Sequence, residues 1–155
     1  MSSPLVIPSV AAFPEFEGHD LGATEWHAIN QDQIDAFAQA TGDHQWIHVD
    51  RERAERESPF GTTIAHGYLT VALAPALLPE LIQVEGCSQI VNYGIEKLRL
   101  KEPVPSGSRI RLAAKVGRIR KVPGGAMRAA LVMKFEVEGA KRPACLGELV
   151  FVYFP

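Results

Sequence analysis

The sequence has 155 residues, 46% of them hydrophobic and 22% charged, which is the length and balance of one globular domain with a buried core. A formal charge of −2 offers little to nucleic acid or to an anionic membrane, so neither is expected as a partner. Cys87 and Cys145 form no CxxC pair and no His/Cys cluster at metal-ligand spacing. They read as small buried hydrophobes of a reducing compartment, and no metal is expected.

Met1–Ala12 lacks a basic residue ahead of its short apolar patch and is broken by Pro4 and Pro8, unlike a secretory leader, so the chain reads as cytoplasmic. Residues 1–22 carry three prolines and little periodicity, and are expected to form an extended arm over the surface of a single domain spanning 1–155. Ala23–Ile29 alternates weakly and predicts a first strand. Asn30 or Asp32 can cap the helix that follows, in which Ile34, Phe37, Ala38 and Thr41 fall at helical spacing. Gly42 stands where a left-handed C-terminal residue is wanted. The helix therefore stops there, and Asp43–Val49 is expected to be irregular. Asp50 caps a short charged helix, Arg51–Glu57, suited to the surface, and Ser58–Gly61 turns the chain.

Gly61–Pro79 is a charge-free run of 19 residues, nearly a membrane span in length. Its threonines, His66, Pro75 and Pro79 fit a buried core helix better, predicted over Ile64–Leu81. That helix is apolar on every face and must be wrapped by something, and Pro75 should kink or divide it. The second half reads as strands: Ser88–Leu100, Arg109–Val122, Met127–Glu138 and Ala144–Phe154. A Pro/Gly crossing loop covers Lys101–Ser108, a bulge is expected at Gly117, and Pro123-Gly124-Gly125 makes a turn. A long buried helix followed by antiparallel strands gives an α+β fold, a sheet curled around a helix.

Two stretches carry a resemblance. Ala40-Thr41-Gly42-Asp43-His44-Gln45-Trp46-Ile47-His48 resembles the signature of the MaoC-like, (R)-specific enoyl-CoA hydratase family, in which Ser/Thr-Gly-Asp is followed by Asn-Pro, an aliphatic residue and His. Ile64-Ala65-His66-Gly67-Tyr68-Leu69 resembles that family's second block. Asn92-Tyr93-Gly94 and Pro103–Ser108 fall where its later strand and crossing loop lie. The run Asp-His-Gln-Trp-Ile-His-Val-Asp is similar to the NodN-like branch. Two departures stand out: Gln45-Trp46 replaces Asn-Pro, and Ala72 occupies the place of a serine that many of these hydratases carry.

The resemblance implies a hot-dog fold, an antiparallel sheet wrapped around a long central helix, and a homodimer. It implies hydration of trans-2-enoyl-CoA to (3R)-3-hydroxyacyl-CoA, or the reverse, within fatty-acid metabolism. No separate cofactor is then needed, because coenzyme A is part of the substrate. Adding water across such a thioester requires a base for water, an acid for the α-carbon and donors for the enolate oxygen. Asp43 and His48 are the catalytic candidates, acting on one water. On a continuous helix they would diverge by about 140°, so leaving helical geometry after Gly42 is what lets them converge. Gly67 is the candidate donor to the thioester carbonyl, its N–H at a helix start with no side chain in the way. Asn92 is a candidate substrate contact.

Each residue also has a plainer reading. Asp43 can be a turn residue bonding its own backbone, and His48 a satisfied, half-buried histidine. Gly67 can be a close-packing glycine, and Asn92 can satisfy a backbone group. His66 reads as structural. Lys97, Arg99 and Lys101 read as edge-strand lysine and arginine more readily than as contacts to coenzyme A phosphates. Two other functions compete. A hot-dog thioesterase generally places a carboxylate on the central helix, and Gly61–Pro79 holds no Asp or Glu. A non-catalytic acyl-CoA-binding or partner subunit would need neither Asp43 nor His48.

Overall fold

The computed structural model describes residues 3–155; Met1 and Ser2 lie outside them. Eight strands form: β1 (Leu5–Ile7), β2 (Asp20–Ala23), β3 (His27–Ala28), β4 (Ile82–Val84), β5 (Gln89–Leu100), β6 (Arg109–Lys121), β7 (Met127–Val137) and β8 (Cys145–Phe154). The main sheet is antiparallel in the order β2-β6-β7-β8-β5, with β3 also on β6. The alternation of β6 and β7 places one apolar set on the inner face, and β8, buried at every position from Leu149 to Tyr153, lies beside them. Rows such as Val116–Leu131–Leu149 run across the sheet, each member buried. At Gly117 the β6–β7 register slips between Val116 and Ile119, as the phase of the sequence predicts. A Cβ at Gly117 would lie 2.8 Å from the Ala130 carbonyl oxygen, so the bulge admits glycine there for want of space.

The helices are α1 (Gln31–Thr41), α2 (Trp46–Val49), α3 (Arg51–Glu57), α4 (Gly67–Ala72) and α5 (Ala74–Leu77). Asn30 caps α1 through its side chain, and Asp50 caps α3. The inner face of the sheet packs on α4 and α5, giving the hot-dog arrangement. No helix of the described residues is long and apolar enough to cross a membrane.

Three expectations need correction. The central helix divides as expected, but it begins at Gly67 and not at Ile64. Pro75, with no N–H to donate, separates α4 from α5, and Pro79 lies in the 3-10 turn at Leu78–Glu80 that follows. Nor is the helix wrapped all round within one chain, because Tyr68 is 70% exposed and Ala72, Pro75 and Ala76 face outward. Residues 3–22, the described part of the expected arm 1–22, are not a surface arm. Leu5–Ile7 pairs in parallel with β4, and Val10–Phe16 winds as a 3-10 helix that brings Val10 and Phe13, three apart, onto one face. Ile7 and Phe13 are fully buried, and the Phe13 ring meets Tyr153 edge-on at 5.0 Å. Their apolar spacing outweighed the prolines. The predicted strand Ala23–Ile29 is instead two short strands, β2 and β3, both on β6.

β5 is the sheet's edge. Among the described residues its backbone pairs only with β8, and Ile90, Val91, Tyr93, Ile95 and Leu100 are all exposed, Tyr93 to 62%. A long apolar edge is what soluble proteins normally cover.

Candidate active site

The site begins where α1 ends. Gly42 adopts the left-handed conformation (φ +80°) and its N–H bonds the Ala38 carbonyl, which stops the helix as expected. Asp43 then makes the turn foreseen for it in isolation: its Oδ1 accepts from the Gln45 N–H at 3.3 Å. The irregular stretch is shorter than the predicted Asp43–Val49. Trp46–Val49 closes one helical turn, α2, through the Asp50 N–H to the Trp46 carbonyl. Arg53 lies over the Trp46 ring at 4.3 Å and caps that turn from α3. Because helix resumes only at Trp46, Asp43 and His48 are free of the 140° divergence.

His48 is 7% exposed, and its Nδ1 lies 2.7 Å from the Ile64 carbonyl oxygen. A carbonyl only accepts, so Nδ1 carries the proton and the Nε2 lone pair is left free. The Ile64 N–H in turn bonds the Ile47 carbonyl, so the two motifs are laced together. His66 stacks on His48 with centroids 3.9 Å apart and an interplanar angle of 23°, and Phe37 packs 4.9 Å from its centroid. His66 Nε2–H donates to the Asp43 carbonyl at 3.0 Å, while its Nδ1 is buried without a partner. His66 is thus structural, as read from the sequence, and it supports both catalytic candidates.

Burial holds the His48 imidazolium below its ordinary pKa of 6.5. The Ile64 hydrogen bond opposes this, the adjacent His66 adds to it, and Asp43 raises the value a little. At neutral pH His48 is therefore a neutral base. Ligand-type atoms of Asp43, His48 and His66 lie within 4.8 Å of one another. A gap of that size is bridged by one water making two bonds of about 2.8 Å. His66 Nε2, 4.0 Å from the Asp43 carboxylate, carries the proton it donates to the Asp43 carbonyl and so offers a metal ion no lone pair.

His48 opens on a cavity of about 250 Å³ that Gly67, Thr70, Leu100, Val104 and Cys145 also line, with Lys101 and Glu102. Glu102 is paired with Arg142 at 2.9 Å. Gly67 begins α4, so its N–H has no acceptor within the helix. A Cβ there would come 2.5 Å from Leu100 Cδ1, the tip of a half-exposed side chain, in keeping with the close-packing reading of Gly67. Asp43 is not a lining residue of this cavity; its side chain is 52% exposed.

Asn92 is not brought to the pair. It pairs with Phe151 on the edge strand and lines two other cavities with Pro75 and Phe151. Ala72, in place of the family serine, is exposed in the second of these, and the hydroxyl that does line the His48 cavity is Thr70. Lys101 is the only one of the three basic residues, Lys97, Arg99 and Lys101, among the cavity's lining residues. Sequence reasoning also missed Gln31 and Thr63, whereas Cys145 is the small buried residue it was read as. Burial pushes the Cys145 thiol up to about 11, so it stays protonated and inert.

Residues 13–134 match the family model described as a MaoC like domain. The chain belongs to the MaoC-like dehydratase family. It is a lyase of the hydratase–dehydratase type. It is 43% identical over 145 residues to 3-hydroxyacyl-thioester dehydratase Z of Mycobacterium tuberculosis, covering 94% of this chain and 95% of that protein. It is 38% identical over 128 residues to Nodulation protein N of Rhizobium meliloti, covering 82% and 80%, in keeping with the NodN-like reading. The solved (R)-hydratase from A. caviae superposes with a TM-score of 0.71 at 24% identity, over 90% of this chain and 96% of that one, which supports the hot-dog fold.

Proposed function

We propose that this MaoC-like protein adds water across trans-2-enoyl-CoA to give (3R)-3-hydroxyacyl-CoA, and catalyses the reverse dehydration. The observation that carries the proposal is the approach of the Asp43 carboxylate to the His48 ring, whose Nδ1 is held by Ile64, beside the cavity where Gly67 begins α4. The dehydratase name of the mycobacterial relative supports the same reaction class. One water sits between the two groups. Asp43 accepts one of its protons in a hydrogen bond and orients it, and His48 Nε2 takes the other as the oxygen attacks the β-carbon. The electrons of the C=C bond move into the thioester as an enolate, whose oxygen accepts a bond from the Gly67 N–H. The imidazolium then returns its proton to the α-carbon and His48 is neutral again. Both additions come from the face that holds the pair, so the addition is syn. The reaction consumes only water, so no cofactor enters it.

The thioesterase alternative gains no support. The carboxylate at the end of the central segment, Glu80, is held by His27 at 2.7 Å and by the Glu25 N–H at 3.3 Å, away from the cavity. The test is an assay with trans-2-enoyl-CoA substrates of several chain lengths and chiral analysis of the product. The expected product is the (3R)-hydroxyacyl thioester. Release of free coenzyme A without hydration, or a (3S) product, would overturn the assignment.

We also propose a cytoplasmic homodimer in which the β5 edges of two copies pair. The apolar residues of β5 and the outward faces of Tyr68 and Pro75 are the surface that pairing would cover. The native chain is expected to sediment as a dimer, and Ile95→Glu as a monomer. A native chain that sediments as a monomer would sink the pairing.

A further inference from the structure

Gln31 is polar, belongs to no motif, and is 4% exposed at the first position of α1. Every hydrogen-bonding group of its amide is used. Nε2 donates to the His48 carbonyl at 2.7 Å and to Asp35 Oδ1 at 2.8 Å, while Oε1 accepts from the Thr63 hydroxyl at 2.5 Å. Thr63 is 1% exposed and immediately precedes Ile64, whose carbonyl holds the His48 ring. The amide therefore spans the two ends of one restraint, the main chain that carries His48 and the segment that fixes its ring. α2 ends within two residues of His48, so the His48 carbonyl finds no helical N–H, and Gln31 supplies the donor it lacks.

We infer that Gln31, held by Thr63, is a positioning residue that sets the tautomer and aim of His48. This rests on the proposed hydration only for its effect on rate. Gln31 touches no reacting atom. It keeps the His48 main chain and the Ile64 carbonyl in register, so that Nδ1 stays protonated and Nε2 points at the water. If the strap loosens, the bond to Ile64 weakens. That bond opposes the effect of burial on His48, so its loss lowers the ring's pKa further.

Thr63→Val keeps the shape of the side chain and removes only the donor, so it tests the strap with little risk to folding. The expected result is a kcat reduced roughly tenfold to a hundredfold, the loss that misplacing a catalytic group by up to about 1 Å produces, with KM little changed. The acid limb of kcat/KM should move to lower pH, and Thr63→Ser should recover most of the rate. Long-range proton–nitrogen NMR of the histidine rings provides a readout that needs no substrate. His48 should be a single Nδ1–H tautomer in the native protein and a mixture in Thr63→Val and in Gln31→Leu. A Thr63→Val protein that is less stable to heat but keeps the native kcat, acid limb and single tautomer would overturn the inference and leave Gln31 as structural glue. If the native protein hydrates no enoyl thioester, the proposed reaction fails, and the tautomer comparison still decides whether Gln31 positions the ring.

Discussion

His48→Gln will lose turnover by roughly a thousandfold, in the middle of the range for removal of a general base, while keeping its fold. A thousandfold corresponds to about 4 kcal/mol of transition-state stabilisation. Glutamine has nearly the reach of histidine and can still donate to the Ile64 carbonyl, so the lacing between the two motifs survives. What it lacks is a nitrogen lone pair able to hold a proton between the attack on the β-carbon and the return to the α-carbon. Native enzyme should show the same dependence in its pH profile. Burial favours the neutral ring, so His48 remains a base below pH 6.5, and the acid limb of kcat/KM should fall below that value. The limb should vanish in His48→Gln. Circular dichroism and thermal melting check that the fold is intact. Near-native rates in a folded His48→Gln protein would remove His48 from the mechanism.

The sheet was largely legible because alternation survives in sequence. β6 and β7 bury alternate residues, while β8, apolar on both faces, is buried continuously from Leu149 to Tyr153, and even the slip at Gly117 is visible as a change of phase. The central helix was legible as a buried apolar run but not in length, since its composition cannot say where Pro75 ends the hydrogen-bond ladder. The N-terminal segment misled because prolines suggest exposure, while the three-residue spacing of Val10 and Phe13 suits a 3-10 helix seated on the sheet. Within the site, Asp43, His48 and Gly67 were singled out as candidates through two short motifs whose spacing leaves a trace. Gln31 and Thr63 left none. A glutamine after a helix cap reads as solvated, and only tertiary folding reveals that it is buried against a carbonyl 17 residues away. Asn92 illustrates the reverse: a polar residue in an apolar strand attracts attention, yet it lies on the open edge, apart from the His48 cavity.

Asp43→Asn should cost about a hundredfold in kcat. The double variant Asp43→Asn/His48→Gln should be scarcely slower than His48→Gln alone. The reasoning is that both groups act on one water in one step. Once His48 cannot take the proton, a well-oriented water gains nothing from its orientation, and the loss at Asp43 is already contained in the loss at His48. Groups that work as a unit are non-additive in this way, whereas groups serving separate steps multiply their effects. Asparagine keeps an oxygen that can accept the Gln45 N–H, and the main-chain bond from His66 to the Asp43 carbonyl is untouched, so the turn should hold. The substitution also removes the one carboxylate that favours the His48 imidazolium. The acid limb of the single Asp43→Asn variant should therefore move to lower pH than in the native enzyme, by a modest amount because Asp43 is half exposed and its charge is screened. A double variant slower than His48→Gln by the full hundredfold would place Asp43 and His48 in different steps, and the single-water mechanism would have to be abandoned.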